Sequence, residues 1–367
     1  MQTMIDQFAD TIRAAAAHKA PLHIRGGGTK DFYGNRIIGQ HGDILDVTAY
    51  TGIVDYEPTE LVATVRTGTR LDNLETELRR HGQMLAFEPP HFGSAATLGG
   101  CVATGLSGPR RAFAGAVRDF VLGVRMLDGR GDDLSFGGRV MKNVAGYDVS
   151  RLMTGSMGTL GLLLEVSLKV LPLPPVERTL RISMNEAEAI DSMNRWAGKP
   201  LPISATCFCD GELTFRLSGA EPAVRAAHRK LGGEEIDDGA GFWESVREQA
   251  HSFFQPGKSL WRLSIKSTTP PLSLPGKQFI EWDGALRWLA IEEDADADAD
   301  AETLSIAIRG AAKYANGHAT LFRSGGYGPQ AAVFHPLTPE MMNINRRLKE
   351  KFDPMGIFNP GRMYPGL

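Results

Sequence analysis

Two glycine-rich stretches contain the residue types that could do chemistry in this sequence. The first, at 25–30, reads Arg-Gly-Gly-Gly-Thr-Lys, and the second, at 93–105, combines four glycines with Ser94, Thr97 and Thr104. Glycine lets a backbone approach a ligand closely and adopt positive φ, so that successive N–H groups can converge on an anion. Two such loops in one region predict a site for a nucleotide that carries a diphosphate.

A third glycine-rich stretch, at 155–161, reads Gly-Ser-Met-Gly-Thr-Leu-Gly, and residues 142–148 before it read Lys-Asn-Val-Ala-Gly-Tyr-Asp. Each glycine taken alone could equally form a tight turn. The whole set is harder to explain in that way, because turns without a ligand need not cluster with serine and threonine. Neither the Rossmann nor the Walker spacing is present, so those two phosphate-binding mechanisms are not supported.

The charge and length of the chain exclude several other classes. Among 367 residues, 40 are basic and 43 acidic, which gives a formal net charge of -3 and no electrostatic case for nucleic acid or an anionic membrane. No apolar run approaches the roughly 20 residues of a membrane span, and the N-terminus lacks the features of a signal peptide. We therefore expect a soluble, cytoplasmic protein, and the length favours two domains.

The chain has three cysteines, Cys101, Cys207 and Cys209. A sparse, odd number does not form a disulfide framework and indicates a reducing compartment. Cys207 and Cys209 would need further thiolates or histidines nearby to hold a metal, so we expect them to be ordinary strand residues. The spacing typical of iron–sulfur ligands is absent, so any such cluster must come from another chain.

Hydrophobic periodicity and turn residues predict the elements that position the glycine loops. Thr69 is the expected N-cap of the second helix, and the prolines at 172, 174 and 175 mark the best domain boundary. The predicted elements are a helix at 4–18, strands at 22–25, 43–47 and 61–66 with 55–60 as a connection, a helix at 69–80, a strand pair turned at 128–131, and a strand at 162–170.

Residues 176–345 alternate strand-like and helical segments, a pattern that predicts an α+β domain around one antiparallel sheet. Alternating Asp and Ala at 294–300 predict a solvated loop tip. The predicted strands are 179–183, 212–218, 260–267 and 320–322, and the predicted helices are 186–197, 222–231 and 301–316.

The order of these motifs resembles that of a known family. The glycine stretches at 25–30, 97–100 and 155–161, the segment 143–148, and a terminal Asp-Pro-x-Gly-x-Phe-Asn-Pro-Gly at 353–361 resemble the vanillyl-alcohol-oxidase-type flavoproteins, which have a PCMH-type FAD-binding domain. Within that family the sequence is most similar to the flavin subunits of glycolate oxidase, and in particular to the smaller one. The resemblance spans residues 20–175 and the last twenty.

The resemblance implies an α+β fold with a two-subdomain FAD-binding domain at 1–175, an α+β cap domain at 176–345, and a C-terminal segment at 346–367 that returns to the FAD domain. Relatives with covalent flavin carry a histidine in or near the first glycine loop, where this sequence has Thr29 and Lys30, so we expect non-covalent FAD. The residues implied to bind it are Arg25, Gly26, Gly27, Gly28, Thr29, Lys30, Pro90, Ser94, Thr97, Gly99, Gly100, Thr104, Gly105, Asn143, Gly146, Gly158, Gly161 and Val166.

The cap differs from that of the related 2-hydroxy-acid dehydrogenases. Those proteins carry histidines and a Gly-Asp-Gly-Asn-like stretch that bind a metal and the substrate, whereas residues 317–323 here read Gly-His-Ala-Thr-Leu-Phe-Arg. His335 could join His318, but two ligands make a poor metal site. We therefore predict no metal and assign no catalytic residue. Arg323 and Lys142 are the candidates for anion recognition, although a structural role is favoured for both, and His91 is expected to be a surface or packing residue.

Three interpretations remain open. The first is an FAD-binding subunit of a glycolate dehydrogenase complex that oxidises glycolate, a small 2-hydroxy acid, to glyoxylate, with a catalytic flavin subunit and an iron–sulfur subunit as partners. In this interpretation the chain binds no nucleic acid, and any association with a membrane occurs only through the partner subunits. The second is an independent FAD-dependent 2-hydroxy-acid or alcohol dehydrogenase. The third is a flavin-free assembly subunit.

Overall fold

A computed structural model describes residues 1–35, 42–138, 148–291, 298–325 and 331–367. The chain forms two compact units, one of Met1–Ser107, Gly115–Leu173 and Pro336–Leu367 and one of Gly108–Ala114 and Pro174–His335. The sequence-based boundaries at 175 and 345 thus lie two and ten residues from these divisions. The short segment 108–114 groups with the second unit rather than with the residues around it.

The first unit is built from six helices and nine strands within the described residues. They are α1 (Gln2–His18), β1 (Leu22–Arg25), β2 (Asp43–Asp46), β3 (Ile53–Glu57), β4 (Val62–Arg66), α2 (Leu71–Arg80), β5 (Gln83–Met84), α3 (Leu98–Thr104), α5 (Val117–Phe120), β6 (Val121–Leu127), β7 (Asp133–Gly137), α6 (Val149–Leu152), β8 (Leu162–Lys169), β9 (Leu171–Pro172) and α11 (Pro339–Phe352).

The α1 helix and the parallel pair β1–β2 form one layer of this unit. The apolar residues Ile5, Phe8 and Ile12 of α1 lie at helical spacing and pack in one core cluster with Leu22 of β1. Strand β1 ends at Arg25, so the triple glycine begins where the sheet stops. This arrangement confirms the predicted helix and strand before the first glycine loop.

A five-stranded sheet with the strand order β3-β4-β8-β6-β7 forms the other layer. Neighbouring strands are antiparallel, and Val166 in the central strand β8 pairs with Val65 of β4 and Val124 of β6. The prediction of a connection at 55–60 is wrong, because β3 spans Ile53–Glu57. β3 is an edge strand that exposes Asp55 and Glu57, so its sequence shows only a weak alternation of apolar and polar residues.

The C-terminal segment packs into this first unit. The ammonium of Lys349 on α11 donates to the carbonyl oxygens of Thr159 and Phe358 and to the carboxylate of Asp353, each at 2.7 Å. The backbone then runs parallel to β1, since the amide of Leu22 donates to Ile357 O at 2.7 Å. Residues far apart in sequence therefore build the same end of β1.

The second unit contains one short helix from the inserted segment and the elements after residue 174. They are α4 (Arg111–Ala114), β10 (Val176–Ser183), α7 (Glu186–Ala197), β11 (Ile203–Cys209), β12 (Glu212–Gly219), α8 (Glu221–Leu231), β13 (Glu234–Glu235), α9 (Gly239–Arg247), β14 (Ser259–Ser264), β15 (Lys277–Glu281), a 3-10 turn (Trp282–Gly284), β16 (Leu286–Ile291), α10 (Asp298–Tyr314) and β17 (His318–Arg323).

An eight-stranded antiparallel sheet with the order β13-β10-β12-β11-β15-β16-β14-β17 organises this unit. Helix α7 spans the predicted residues 186–197, and a capping box between Asn185 and Glu188 fixes its start. The α+β fold class is confirmed. Residues 294–297 of the predicted loop tip lie outside the described residues, and its remaining residues are helical because α10 begins at Asp298.

The turn between β15 and β16 holds an unusual carboxylate. Trp282 and Asp283 both have positive φ, 53° and 55°, which is costly for residues with a Cβ. Thr206 Oγ1 donates to the Asp283 carboxylate at 2.8 Å. Burial raises the pKa of Asp283 to about 6 from its ordinary 3.8, against the opposing effect of the Thr206 hydrogen bond. The folded state therefore holds the Asp283 proton at a pH where the unfolded chain has lost it.

This raised pKa predicts a pH-dependent gain from the substitution Asp283→Asn. Because the pKa of Asp283 is higher in the folded state than in the unfolded state, the free energy of unfolding falls as the pH rises from 3.8 to about 6. At higher pH this loss of stability remains in full. Asparagine removes the charge and tolerates positive φ. We expect the free energy of unfolding to rise by about 3 kcal/mol above about pH 7 and to be unchanged below about pH 4.

Urea unfolding of Asp283→Asn at both pH values measures this effect. The matched control is Asp237→Asn, at an aspartate of the same unit that is exposed to solvent. This substitution should change the free energy of unfolding at neither pH. An equal gain from Asp283→Asn at low and neutral pH would show that the buried charge is not its cause.

Candidate functional site: a nucleotide cleft in the first unit

A cavity of about 500 Å³ opens beside the first glycine stretch. Its wall combines the loop after β1 with one side of α3 and the C-terminal segment. Of the residues predicted to bind the cofactor, those that line it are Arg25, Gly26, Gly27, Gly28, Thr29, Lys30, Thr97, Gly100 and Thr104. The structure thus brings together residues of two loops that are about 70 positions apart.

The loop backbone at 26–29 has the close packing and the positive φ expected of an anion site. A Cβ on Gly27 would overlap the carbonyl oxygen of Ala95, and Gly28 has φ of +71°, so each position requires glycine. Within the described residues, the amide N–H groups of Gly26, Gly27, Gly28 and Thr29 have no acceptor. Buried or partly buried donors of this kind are usually paired, so their arrangement fits a bound anionic group.

The charges around this cavity also favour an anion. Arg25, Lys30 and Arg362 line it together with a single carboxylate, Asp31, among the described residues. Arg25 pairs with Asp31 at 2.6 Å, and both side chains are about half exposed, so this ion pair contributes little stability. The lining therefore has an excess of positive charge.

A second cavity of about 500 Å³ adjoins the first. Gly27 and Thr97 line both cavities, and the remaining wall of the second includes Thr69, Arg70 and Asn73 at the start of α2. An extended dinucleotide needs room on both sides of its diphosphate. Two cavities that meet at the glycine loop give that room, so the residues present fit FAD.

Helix α3 is held in place by its own first residues. Thr97 is the N-cap and accepts from the amide of Gly100 at 3.3 Å, while Thr104 Oγ1 donates to Gly100 O at 2.8 Å. The amide of Gly99 donates to Thr67 O at 2.8 Å. These bonds fix the second glycine loop against β4, and Gly105 ends the helix with φ of +66°.

His91 connects the first glycine loop to α2. Its carbonyl oxygen accepts from Thr29 Oγ1 at 2.7 Å and from Lys30 Nζ at 3.2 Å. Its ring nitrogens lie 3.0 Å from Asp72 Oδ1 and 3.3 Å from Glu75 Oε1. The side chain is buried, so the packing role predicted for His91 is correct and the surface role is not.

The other predicted site residues lie elsewhere. Ser94 O accepts from Arg70, Gly99 packs on Thr67, Gly158 lies beside the Asn359 amide, and Gly161 lies beside Met126 and Leu127. Asn143, Gly146 and Lys142 lie outside the described residues. The predicted residues that line neither cavity are Pro90, Ser94, Gly99, Gly105, Gly158, Gly161 and the core residue Val166.

Sequence reasoning missed several residues of this cleft. His23 and Ile24 belong to β1 and precede the glycines, and Met157 lies within the third glycine stretch, so a wider search around each motif would have found them. Asn359 and Arg362 come from the C-terminal segment. Only the Asn-Pro-Gly-Arg motif itself signalled their importance, because no local pattern connects residue 25 with residue 362.

The second unit holds no metal centre among the residues that the structure describes. His335 Nδ1 accepts from the amide of Ala319, next to His318, and no third ligand completes a site. The guanidinium of Arg323 donates to Gln249 Oε1 at 3.0 and 3.2 Å, and burial lowers its pKa. Arg323 therefore has a polar partner within its own unit.

The three cysteines are poor nucleophiles. Burial raises the pKa of the Cys101 thiol and of the Cys209 thiol to about 12, and it raises the pKa of Cys207 as well. The thiolate is the reactive form, so all three remain protonated at neutral pH. Cys207 and Cys209 lie in β11, as predicted.

None of the helices in the described part of the chain is both long enough and apolar enough to cross a membrane.

The chain resembles known proteins in sequence and in fold. Residues 3–137 match a family model described as an FAD binding domain. Over its whole length, with 98% of the relative covered, the chain is 47% identical to glycolate oxidase subunit GlcE of Escherichia coli strain K12. It is 31% identical to glycolate oxidase subunit GlcD of Bacillus subtilis strain 168, across 48% of this chain and 37% of the relative.

Among solved structures, alkyldihydroxyacetonephosphate synthase superposes with a TM-score of 0.68 and 15% identity, covering 97% of this chain and 75% of the other. Wild-type Phl p 4.0202, a glucose dehydrogenase, superposes with a TM-score of 0.64 and 15% identity, covering 99% of this chain and 89% of the other. The matched FAD binding domain and the full-length relative thus define a flavoprotein with a PCMH-type FAD-binding domain and FAD as its cofactor. The chain belongs to the family of the glycolate oxidase subunit GlcE.

Proposed function

We propose that this chain is an FAD-binding subunit of a glycolate-oxidising complex that converts glycolate to glyoxylate. The observation that supports this proposal most strongly is the full-length identity of 47% to a glycolate oxidase subunit, combined with a cleft that fits FAD. Partner subunits follow from that assignment. We further propose that they include a catalytic flavin subunit and an iron–sulfur subunit.

The proposed cofactor site is built around the junction of the two cavities. The unpaired amides of 26–29 hold the diphosphate, and Gly27 and Thr97 contact it because they line both cavities. The parts of FAD on either side of the diphosphate occupy the two cavities. The further residues proposed from sequence are Arg25, Lys30, Pro90, Ser94, Gly99, Gly100, Thr104, Gly105, Asn143, Gly146, Gly158, Gly161 and Val166.

We propose that the FAD is held without a covalent bond. Among the described residues that line the cleft, His23 is the one histidine, and a covalent bond would require the methyl group on the flavin ring to reach its imidazole. Thr29 and Lys30, which follow the glycines, bond to the carbonyl of His91. Bound FAD would accept two electrons from the substrate as a hydride, and the residues of this chain would bind and orient it.

The main catalytic step is proposed to occur in the partner flavin subunit. Oxidation of a 2-hydroxy acid needs a base for the hydroxyl proton and a clamp for the carboxylate. Burial lowers the pKa of His318, and Arg262 and His335 lower it further, but no metal site accompanies this histidine in the described residues. The groups that would activate a hydroxy acid are therefore sought in the partner.

Anaerobic addition of glycolate to the purified chain tests this division of roles. We expect the isolated chain to be yellow and its flavin not to be bleached by glycolate. The chain co-expressed with its partner subunits should oxidise glycolate. Rapid bleaching of the isolated chain would identify it as an independent dehydrogenase. A colourless chain that still assembles with its partners would identify a flavin-free assembly subunit.

A further inference from the structure

The C-terminal segment grips the loop that follows the first glycine stretch. The guanidinium of Arg362 donates to the carbonyl oxygens of Tyr33 at 2.6 Å, Asp31 at 2.9 Å and Asn35 at 3.3 Å. The loop also donates a hydrogen bond to the C-terminal segment, from the amide of Asn35 to Arg362 O at 2.9 Å. A longer bond of 3.5 Å to Lys30 O makes four carbonyls of a single loop that this one arginine bonds.

Asn35 reinforces this contact from the loop side. Its side-chain amide donates to the carbonyl oxygens of Gly361 at 3.1 Å and Met363 at 3.0 Å. Gly34 lies directly over the guanidinium, since a Cβ at that position would come within 3.0 Å of Arg362 Nε. The two segments are therefore interlocked through both backbone and side chains.

The charge of Arg362 is not balanced by a direct ion pair. No carboxylate of the described residues lies within 4 Å of its guanidinium, because Asp31 pairs with Arg25 instead. Arg362 nevertheless lines the cavity beside the free amides of 26–29. Carbonyl oxygens satisfy its hydrogen bonds, and Asp31 attracts its charge without a direct contact. One carboxylate cannot offset Arg25, Lys30 and Arg362 together, so positive charge remains at the cavity.

We propose that Arg362 is a positioning residue for the cofactor diphosphate. It holds the loop at 31–35 so that the amides of 26–29 converge, and it adds positive charge to the same cavity. This inference rests on the proposed function and deepens it by assigning a role in FAD retention to the C-terminal segment. The role depends on the planar fork of arginine as well as on its charge.

The test compares Arg362→Ala, Arg362→Lys and the matched control Arg347→Ala, an exposed arginine of α11 in the same segment. FAD is titrated into each apoprotein, and flavin fluorescence reports binding. We expect Arg362→Ala to weaken FAD binding at least about tenfold, since several charge-assisted hydrogen bonds are lost. Arg362→Lys keeps the charge but not the planar fork, so its FAD affinity should lie between those of Arg362→Ala and the unaltered chain. Arg347→Ala should bind FAD as tightly as the unaltered chain does.

Amide hydrogen exchange in the apoproteins supplies a second measurement that does not need FAD. In Arg362→Ala, exchange should accelerate at 26–35 while the strands of the five-stranded sheet keep their protection. Unchanged exchange at 26–35, or faster exchange throughout the first unit, would overturn the positioning role. So would an Arg362→Ala variant with unaltered FAD affinity. Failure of the unaltered chain to bind FAD would instead overturn the proposed function, and the exchange data would still decide the role of Arg362.

Discussion

The substitution Gly27→Ala is expected to reduce FAD affinity on the order of 100-fold, because a positional error of about 1 Å in a preorganised site has an effect of that size. The new Cβ would overlap the carbonyl oxygen of Ala95 and lie 2.5 Å from its carbonyl carbon. The two glycine loops must then move apart where they jointly line both cavities. Titration of the apoprotein with FAD measures the loss.

A second glycine provides the control for this experiment. Gly310 lies inside α10, and a Cβ there would meet no atom within 4 Å. Gly310→Ala should leave FAD binding unchanged and raise the stability of the chain by about 0.5–1 kcal/mol, since alanine favours a helix. If Gly27→Ala bound FAD as tightly as Gly310→Ala does, the close approach of the two loops would have no role in the site.

The substitution Lys349→Met is expected to lower the free energy of unfolding by about 3–5 kcal/mol, the usual effect of removing one partner from a buried ion pair. Asp353 is 1% exposed, and Lys349 is its only charged partner in the described ion pairs. Without the ammonium, the Asp353 carboxylate keeps, among the described residues, only the amides of Ile357 and Phe358, at 3.0 and 2.8 Å. Denaturant unfolding measures the change.

The matched control is Lys351→Met, two residues further along α11 and exposed to solvent. Its effect should stay within about 0.5 kcal/mol. The double variant Lys349→Met with Asp353→Asn should recover part of the loss, because it removes the uncompensated charge as well. Equal stability of Lys349→Met and Lys351→Met would show that the buried pair does not hold the C-terminal segment.

Elements with strong local signals were predictable from the sequence. Helix α7 spans the predicted residues because Asn185 and Glu188 form a capping box at its start. The prediction of Thr69 as an N-cap was wrong, since α2 begins at Leu71 after Arg70. Thr69 Oγ1 instead accepts from the amide of Gly52 at 2.9 Å, a contact between distant residues that no local pattern specifies.

The same distinction applies to the cofactor cleft. The glycine loops at 26–28 and 97–100 were predictable because glycine and threonine in close succession carry a local physical meaning. The second cavity was not predictable from the sequence, since Arg70 and Asn73 lie at the start of a helix whose sequence indicates only amphipathic packing. Arg362 depends on the fold alone, because tertiary contacts bring it to a loop more than 300 residues earlier.

The flavin content of the purified full-length chain tests the central claim most directly. The chain should carry up to one FAD per molecule, visible as flavin absorbance and released into solution when the protein is denatured. Gly27→Ala, purified in the same way, should be colourless. A folded chain that retains no flavin and does not bind added FAD would contradict the claim that the paired glycine loops form a flavin nucleotide site.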